Sequence, residues 1–307
     1  MGVGPVGLVV GIDLGTSAVK VLVVDGEQGT VRARAEGRYP LHHPRPGWAE
    51  QSPGAWWSAT AGAVRAALEQ AGGGGRVEAV GLSGQLNGLV LLDAEDRPLG
   101  DALLWLDQRA EAEARELNEV TGGQFLRLTY GELSAVSALA KWRWVLRHEP
   151  QRAAAARRVA FPKDVLLFHL TGAWVTDVTN AAAAGMLDLA RRRWAPELLA
   201  AAGLPVRLLP ELAEAPQVAG RISPQAAAAT GLPTGVPVVT GAGDMAALAL
   251  GAGVTRPGRA CATIGTAGHV GAFLENLPAA PDPRAWILPH ALPGAYFWHG
   301  LVMTAGY

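Results

Sequence analysis

The stretch "GIDLGTSAVKVLVVD", residues 11–25, decides the fold. An apolar run ends in Asp13, is broken by Gly15-Thr16-Ser17 and resumes from Val19 to Asp25. Runs of Val, Leu and Ile on either side of a small-residue turn read as two strands of a hairpin. "DGEQGT" (25–30) is a second turn, and "VRARAEGRY" (31–39) alternates like a third, half-exposed strand. Three antiparallel strands therefore open the chain. Strands and helices alternate after them, which predicts an α/β fold with a mixed sheet. A hairpin-first order argues against the doubly wound nucleotide fold, which starts strand–helix–strand.

Further along, Ser52-Pro53 marks a helix start, with a hydroxyl cap and proline at the first helical position. That helix runs to about Gln70 and stops at "AGGGG". "VEAVGLSG" reads as a buried strand, and "NGLVLLD" and "ALLWLD" as further strands. "AEARELNEV" and the amphipathic "LAKWRWVLRHEP" are helical, the second as a surface helix with its Trp and Leu side buried. "VAFPKDVLLFHLTG" is strand then helix, and "PELLAAAG" is a helix. "VPVVTGAGDMAALALGAG" is strand, glycine turn, helix, and "RACATIGTAGHVGAF" is two strands around a turn.

The chain has 307 residues, half of them hydrophobic, which is enough for two domains with a sizeable core. Its net charge is −1 and it carries no long Lys/Arg block, which argues against a nucleic-acid footprint. Cys261 is the only cysteine, so no internal disulfide is available, as fits a reducing compartment. The apolar N-terminus is short, lacks a basic flank and is interrupted by Asp13, unlike a signal peptide or a membrane span. A cytoplasmic protein is expected. The seven histidines show no metal-ligand spacing.

The Gly-Thr turn at 15–16 has a counterpart at Gly265-Thr266 in "ATIGTAGHVGAF". Small residues between strands let backbone amides point into a concavity that suits phosphate. Thr16, Ser17 and Thr266 add hydroxyl donors, and Lys20 adds a charge. Asp13 can hold hydrated Mg²⁺ beside the phosphates, because hard cations take carboxylate and water oxygens. Two such loops suggest two domains facing one polyphosphate across a cleft. "GAGDMA" (241–246) matches the dinucleotide fingerprint GxGxxA, but the acid about twenty positions on is missing. Asp244 reads better as a base for a substrate hydroxyl, and also as a helix N-cap.

The segments "GIDLGTSAVKVLVVD", "RPGWAEQSPGAWW", "VGLSGQLNGLVLLD", "LLWLDQRA", "WVLRHEP", "FPKDVLLFHLTG", "VPVVTGAGDMAA" and "ATIGTAGHV" occur in that order. Together they resemble the FGGY carbohydrate kinases, most closely the xylulokinase branch. The resemblance covers nearly the whole chain. It implies a ribonuclease-H-like (actin/hexokinase-like) fold of two domains, with ATP and Mg²⁺ between them and a sugar phosphorylated on a terminal hydroxyl. The substrate implied is a ketopentose, D-xylulose, giving D-xylulose 5-phosphate. Another sugar, polyol or sugar acid is the alternative, as is an inactive fragment.

By position, the resemblance makes Asp244 the catalytic base and Asp13 the acid near metal and phosphates. It makes Gly15, Thr16 and Ser17 the first phosphate loop, with Lys20 after it, and Gly265, Thr266 and Gly268 the second. Leu86 and Asn87 in "QLNG" match the sugar-contacting pair, and Trp105 and Asp107 the residues beside the sugar. Met245 follows the base on the sugar side. The chain departs from the xylulokinase pattern at Asn87 (His there), Met245 (Asn) and Ala267 (Ser). The sugar identity rests on the first two, since lost polar partners erode selectivity for hydroxylated ligands. The resemblance divides the chain into residues 1–253, the sugar-binding domain, and 254–307, the start of an ATP-binding domain that is incomplete. Alone, such a chain is expected to bind ATP poorly. Many relatives dimerise, so a homodimer is compatible with the resemblance.

Overall fold

The structure is a computed structural model that describes residues 7–74, 76–264, 268–282 and 286–302. Strand β1 (Leu8–Leu14) pairs antiparallel with β2 (Ala18–Asp25), and β2 with β3 (Val31–Arg38), as the opening stretch predicts. β4 (Val77–Gly84) lies parallel on the other side of β1. Beyond it come β5 (Val218–Arg221) and β6 (Pro237–Val239), which pair antiparallel, with β6 parallel to β4. The short β7 (Ala242–Gly243) also pairs β4 in parallel. The mixed seven-stranded sheet reads β5-β6-β4-β1-β2-β3, with β7 beside β4.

The pleat of β1 decides which side is core. Leu8, Val10, Ile12 and Leu14 are buried, while Val9, Gly11 and Asp13 alternate with them on the less covered face. Helix α1 (Pro53–Gln70) brings Trp56, Val64 and Leu68 onto this side of β1 and β2. Each such side chain taken from water contributes about 1.5–3 kcal/mol.

A second apolar cluster lies among helices, including α2 (Ala138–His148). Here the sequence reading needs one correction. "NGLVLLD" and "ALLWLD" yield only the short strands Val90–Leu92 and Ala102–Leu103, which pair Arg158–Ala160 and Glu50–Gln51 rather than the central sheet. Leu89, Leu91 and Leu103 are drawn into the helical cluster instead, while Leu92 and Leu104 pack into the core of the central sheet. Helix α2 buries its Trp and Leu side as expected, through Leu139, Trp142 and Trp144, and Lys141 is fully buried with them.

The chain goes on through α3 (Pro162–Thr171), α4 (Val178–Ala183), α5 (Pro224–Thr230) and α6 (Asp244–Gly251). A second, antiparallel sheet follows, formed by β8 (Ala260–Ile264), β9 (Gly268–Leu274), β10 (Trp286–Pro289) and β11 (Tyr296–Val302) in the order β8-β9-β11-β10. Val178 and Ala181 of α4, Ala246 of α6, Ile287 and Leu288 of β10 and Phe297 of β11 share a third cluster, which joins the two sheets. Among the described residues, no helix is long and apolar enough to cross a membrane.

Candidate active site

After β6 the chain must turn sharply over the end of β4 before α6 begins. Gly241 takes φ +75°, and a Cβ there would lie 2.0 Å from the Leu82 carbonyl oxygen. A Cβ on Gly243 would lie 2.1 Å from Leu86 Cδ2. These two close approaches account for the glycines of "GAGDMA" without a pyrophosphate. Asp244 then opens α6, and Gly243, not Asp244, holds the N-cap position. Among the described residues the Asp244 carboxylate accepts only a local bond, from the Met245 amide at 2.8 Å. Burial, and then the charge of Asp13, push its pKa up to about 7.

Behind this turn lies a buried polar cluster. Lys163 Nζ donates to the Thr240 carbonyl at 2.8 Å and meets Asp177 at 3.1 Å and Asp164 at 3.3 Å. Burial pulls Lys163 down, but the two aspartates outweigh it and hold the ammonium above its ordinary range. Asp177 caps α4 by accepting the amides of Thr179 and Asn180 at 2.8 and 3.1 Å, and it also accepts the Thr179 hydroxyl. Thr179 Oγ1 in turn accepts the Gly243 amide at 2.7 Å. The turn is thus fixed on both sides, at Thr240 and at Gly243. Sequence reasoning missed Lys163, Asp177 and Thr179. The available signal was a Lys-Asp pair inside the otherwise apolar "FPKDVLLF".

Asp244 faces a cavity of about 160 Å³, room for on the order of ten water-sized spheres. Thr16, Leu86, Asn87, Trp105 and Met245 line it with Asp244. Val136, His269, Trp286 and His299 line it as well, and the last three belong to the second sheet. Trp105 Nε1 donates to Thr16 Oγ1 at 2.9 Å, which fixes the indole edge. The Thr16 carbonyl accepts from Gln51 Nε2 at 2.6 Å, and Gln51 Oε1 accepts from Gln85 at 3.3 Å. Asn87 takes φ +63°, a left-handed conformation that Asn tolerates better than most residues. Its carbonyl accepts Lys141 Nζ at 2.8 Å, and the same ammonium donates to Val136 at 2.6 Å. Burial draws Lys141 down to about 7, against the opposing charge of Asp107. The Asn87 Oδ1 is buried and has no partner among the described residues.

An acid with a raised pKa in a largely apolar cavity, walled by tryptophans and set at a glycine turn, is the setting for abstracting a hydroxyl proton. A sequence profile described as the N-terminal domain of the FGGY family of carbohydrate kinases matches residues 8–251. The chain belongs to the FGGY family of carbohydrate kinases. It is 37% identical to the xylulose kinase of Escherichia coli (strain K12) over 296 residues, 96% of this chain and 60% of that one. It is 31% identical to the xylulose kinase of Bacillus subtilis (strain 168), over 97% of this chain and 60% of that one. The crystal structure of xylulose kinase from Rhodospirillum rubrum superposes with a TM-score of 0.93 at 34% identity, covering 97% of this chain and 61% of that one. The chain spans about 60% of the length of these relatives.

The remaining residues expected from the FGGY resemblance fall into three groups. Asp13 and Lys20 stand directly opposite in the β1–β2 register. They line a second cavity of about 690 Å³, largely apolar, with Ser83 and Gly241. The Asp13 Oδ1 is buried without a partner among the described residues. In the first glycine turn, Ser17 is exposed, the Gly15 amide donates back to the Ala18 carbonyl at 3.1 Å, and the Gly15 carbonyl accepts the Tyr39 hydroxyl at 2.5 Å. The Gly15 amide is therefore engaged within the hairpin. Gly268 starts β9, opposite Ile264, and Gly265 and Thr266 lie outside the described residues.

Asp107 corrects the reading of it as a sugar contact. It is fully buried and away from the cavity lining, and Arg109 grips its carboxylate at 2.7 and 2.8 Å while the Ala49 amide donates to it at 2.7 Å. Arg109 also meets Glu50 at 2.6 Å and lies 3.6 Å from the Trp48 ring centre. Asp107 thus anchors the loop that carries Trp105.

Proposed function

We propose that this chain supplies the sugar site and the catalytic base of an ATP-dependent carbohydrate kinase that phosphorylates a ketopentose, D-xylulose to D-xylulose 5-phosphate. The observation that carries this reading is the convergence of Asp244, Thr16, Asn87 and Trp105 on one sugar-sized cavity. The xylulose kinase names of the relatives favour D-xylulose among ketoses. Residues 1–253 form the sugar-binding domain in this reading, and 254–307 begin the ATP-binding one, with the chain acting in the cytoplasm.

In this mechanism the Asp244 carboxylate accepts the proton of the sugar's terminal hydroxyl as the oxygen attacks the γ-phosphorus of ATP and the bond to ADP breaks. Phosphoryl transfer asks mainly for positioning and charge neutralisation. Trp105 offers an aromatic face to the sugar's C–H groups, and Asn87 an acceptor to its hydroxyls. In this reading Lys20 and the Ser17 hydroxyl serve the phosphates, while the Thr16 hydroxyl holds Trp105 at the sugar. The orphan oxygen of Asp13 fits a hydrated Mg²⁺, which when bound would neutralise charge on the transferred group. Asp13, beside Asp244, also keeps the base ready to take a proton.

The test is ADP release by the purified chain with MgATP across D-xylulose, D-ribulose, L-fuculose, gluconate and glycerol, together with calorimetric binding of each sugar. We expect tightest binding and fastest release with D-xylulose, with release lost in Asp244→Ala at least 100-fold, the usual scale for a general base. A folded chain that binds none of these compounds would overturn the reading.

A further inference from the structure

Two residues that line the sugar cavity each carry a buried polar atom without a partner among the described residues: Asn87 at Oδ1 and His299 at Nδ1. The first belongs to the turn after β4, and the second is delivered by β11 of the other sheet. His299 is not isolated. Gly271 is its register partner across β9–β11, and Leu301 is that of His269, so the two histidines are diagonal neighbours on one face of the sheet. Their rings stack with centroids 5.4 Å apart and planes at 15°, and His269 Nδ1 lies 3.1 Å from His299 Nε2. Phe297, edge-on at 6.2 Å, and Trp286, tilted at 6.5 Å, hold the His299 ring from other sides.

Resting on the kinase reading above, we propose that His299, oriented by His269, binds a hydroxyl of the substrate and selects neutral polyhydroxy compounds over sugar acids. A hydrogen bond between two neutral imidazoles holds a single shared proton. If His269 donates, His299 carries its own proton on Nδ1 and becomes a donor to the cavity. If His299 donates, its Nδ1 is an acceptor. A hydroxyl satisfies either arrangement, because it both donates and accepts. Burial holds both imidazoles below their ordinary pKa, so the pair is uncharged at neutral pH.

Asn87 Oδ1 accepts only, so it asks for a second O–H. A ketose with several hydroxyls can serve both atoms at once. A sugar acid can offer hydroxyls too, but its carboxylate would bring negative charge beside Asp244 and Asp13. The histidines show no metal-ligand spacing in the sequence; 30 positions separate these two, and only the strand register brings them together.

The experiment is calorimetric titration of the 307-residue chain with D-xylulose, xylitol and D-gluconate. It is repeated with His299→Phe, which keeps a ring, and with His299→Asn, which keeps a donor and an acceptor. Circular dichroism confirms that each variant is folded. We expect D-xylulose to bind the parent at least tenfold more tightly than D-gluconate. His299→Phe should weaken D-xylulose about tenfold, the loss of one hydrogen bond in a desolvated site. His299→Asn should stay within about threefold of the parent, and His269→Phe should fall between the two. Parent-like affinity in His299→Phe, or gluconate binding as tightly as the ketose, overturns the assignment. A folded parent that binds none of the three overturns both this assignment and the kinase reading.

Discussion

At Asp244, burial and the neighbouring charge of Asp13 both favour the protonated acid, and only the Met245 amide opposes them. This has a consequence for stability that is separate from catalysis. With a folded pKa of about 7 against an ordinary value of 3.8, the folded chain keeps a proton that the unfolded chain has released. Stability from this group is therefore fully present below about pH 4 and is lost as pH rises through about 7. Asp244→Asn removes that dependence while keeping the shape. The variant should melt at the same temperature as the parent at pH 4, and several degrees higher at pH 8. Differential scanning calorimetry across that range checks it, and a melting difference that does not change with pH counts against a desolvated base. The ionised form is also the one that accepts a proton, so the residue is least comfortable in the state in which it works.

Among the elements, the turn between β6 and α6 shows how far the sequence could be read. "VPVVTGAGDMAALALG" announces strand, turn and helix by composition alone, and the structure has them at Pro237–Val239 and Asp244–Gly251. Hydrophobic period and glycines are local signals, and the opening hairpin was legible for the same reason. What holds the turn was not legible, because its partners come from far along the chain. Thr179 reaches Gly243 across 64 positions, and Lys163 reaches Thr240 across 77. Asp107 failed in the opposite direction. The FGGY resemblance implied a place beside the sugar, but Arg109, two residues on, takes its carboxylate instead. Contacts made by topology leave no periodicity to read.

The same turn yields a test of its support. Thr179→Val keeps the volume but leaves the Gly243 amide buried without an acceptor, a loss of about 1–3 kcal/mol. Chemical denaturation should show that loss for Thr179→Val and little of it for Thr179→Ser. If valine is tolerated as well as serine, the hydroxyl does not hold the base's turn.

Across the whole molecule, the cavity has two walls from two sheets. Asn87 and Asp244 come from the β4 and α6 side, and His269, Trp286 and His299 from β9, β10 and β11. The cluster of Val178, Ala246, Leu288 and Phe297 packs beneath both walls and couples them. A ligand seated there must therefore stabilise both sheets together, not only the one that carries the base. At about 100 times its dissociation constant, bound D-xylulose adds about 2.7 kcal/mol to the folded state. Amide hydrogen exchange can show where that energy is felt. Protection should rise in β4 and α6 and, to a similar degree, in β9 and β11, with α1 on the far side of the sheet changing least. Protection confined to the first sheet would mean that the second wall makes no contact with the sugar, and the selectivity ascribed to His299 would have to come from Asn87 and Met245 instead.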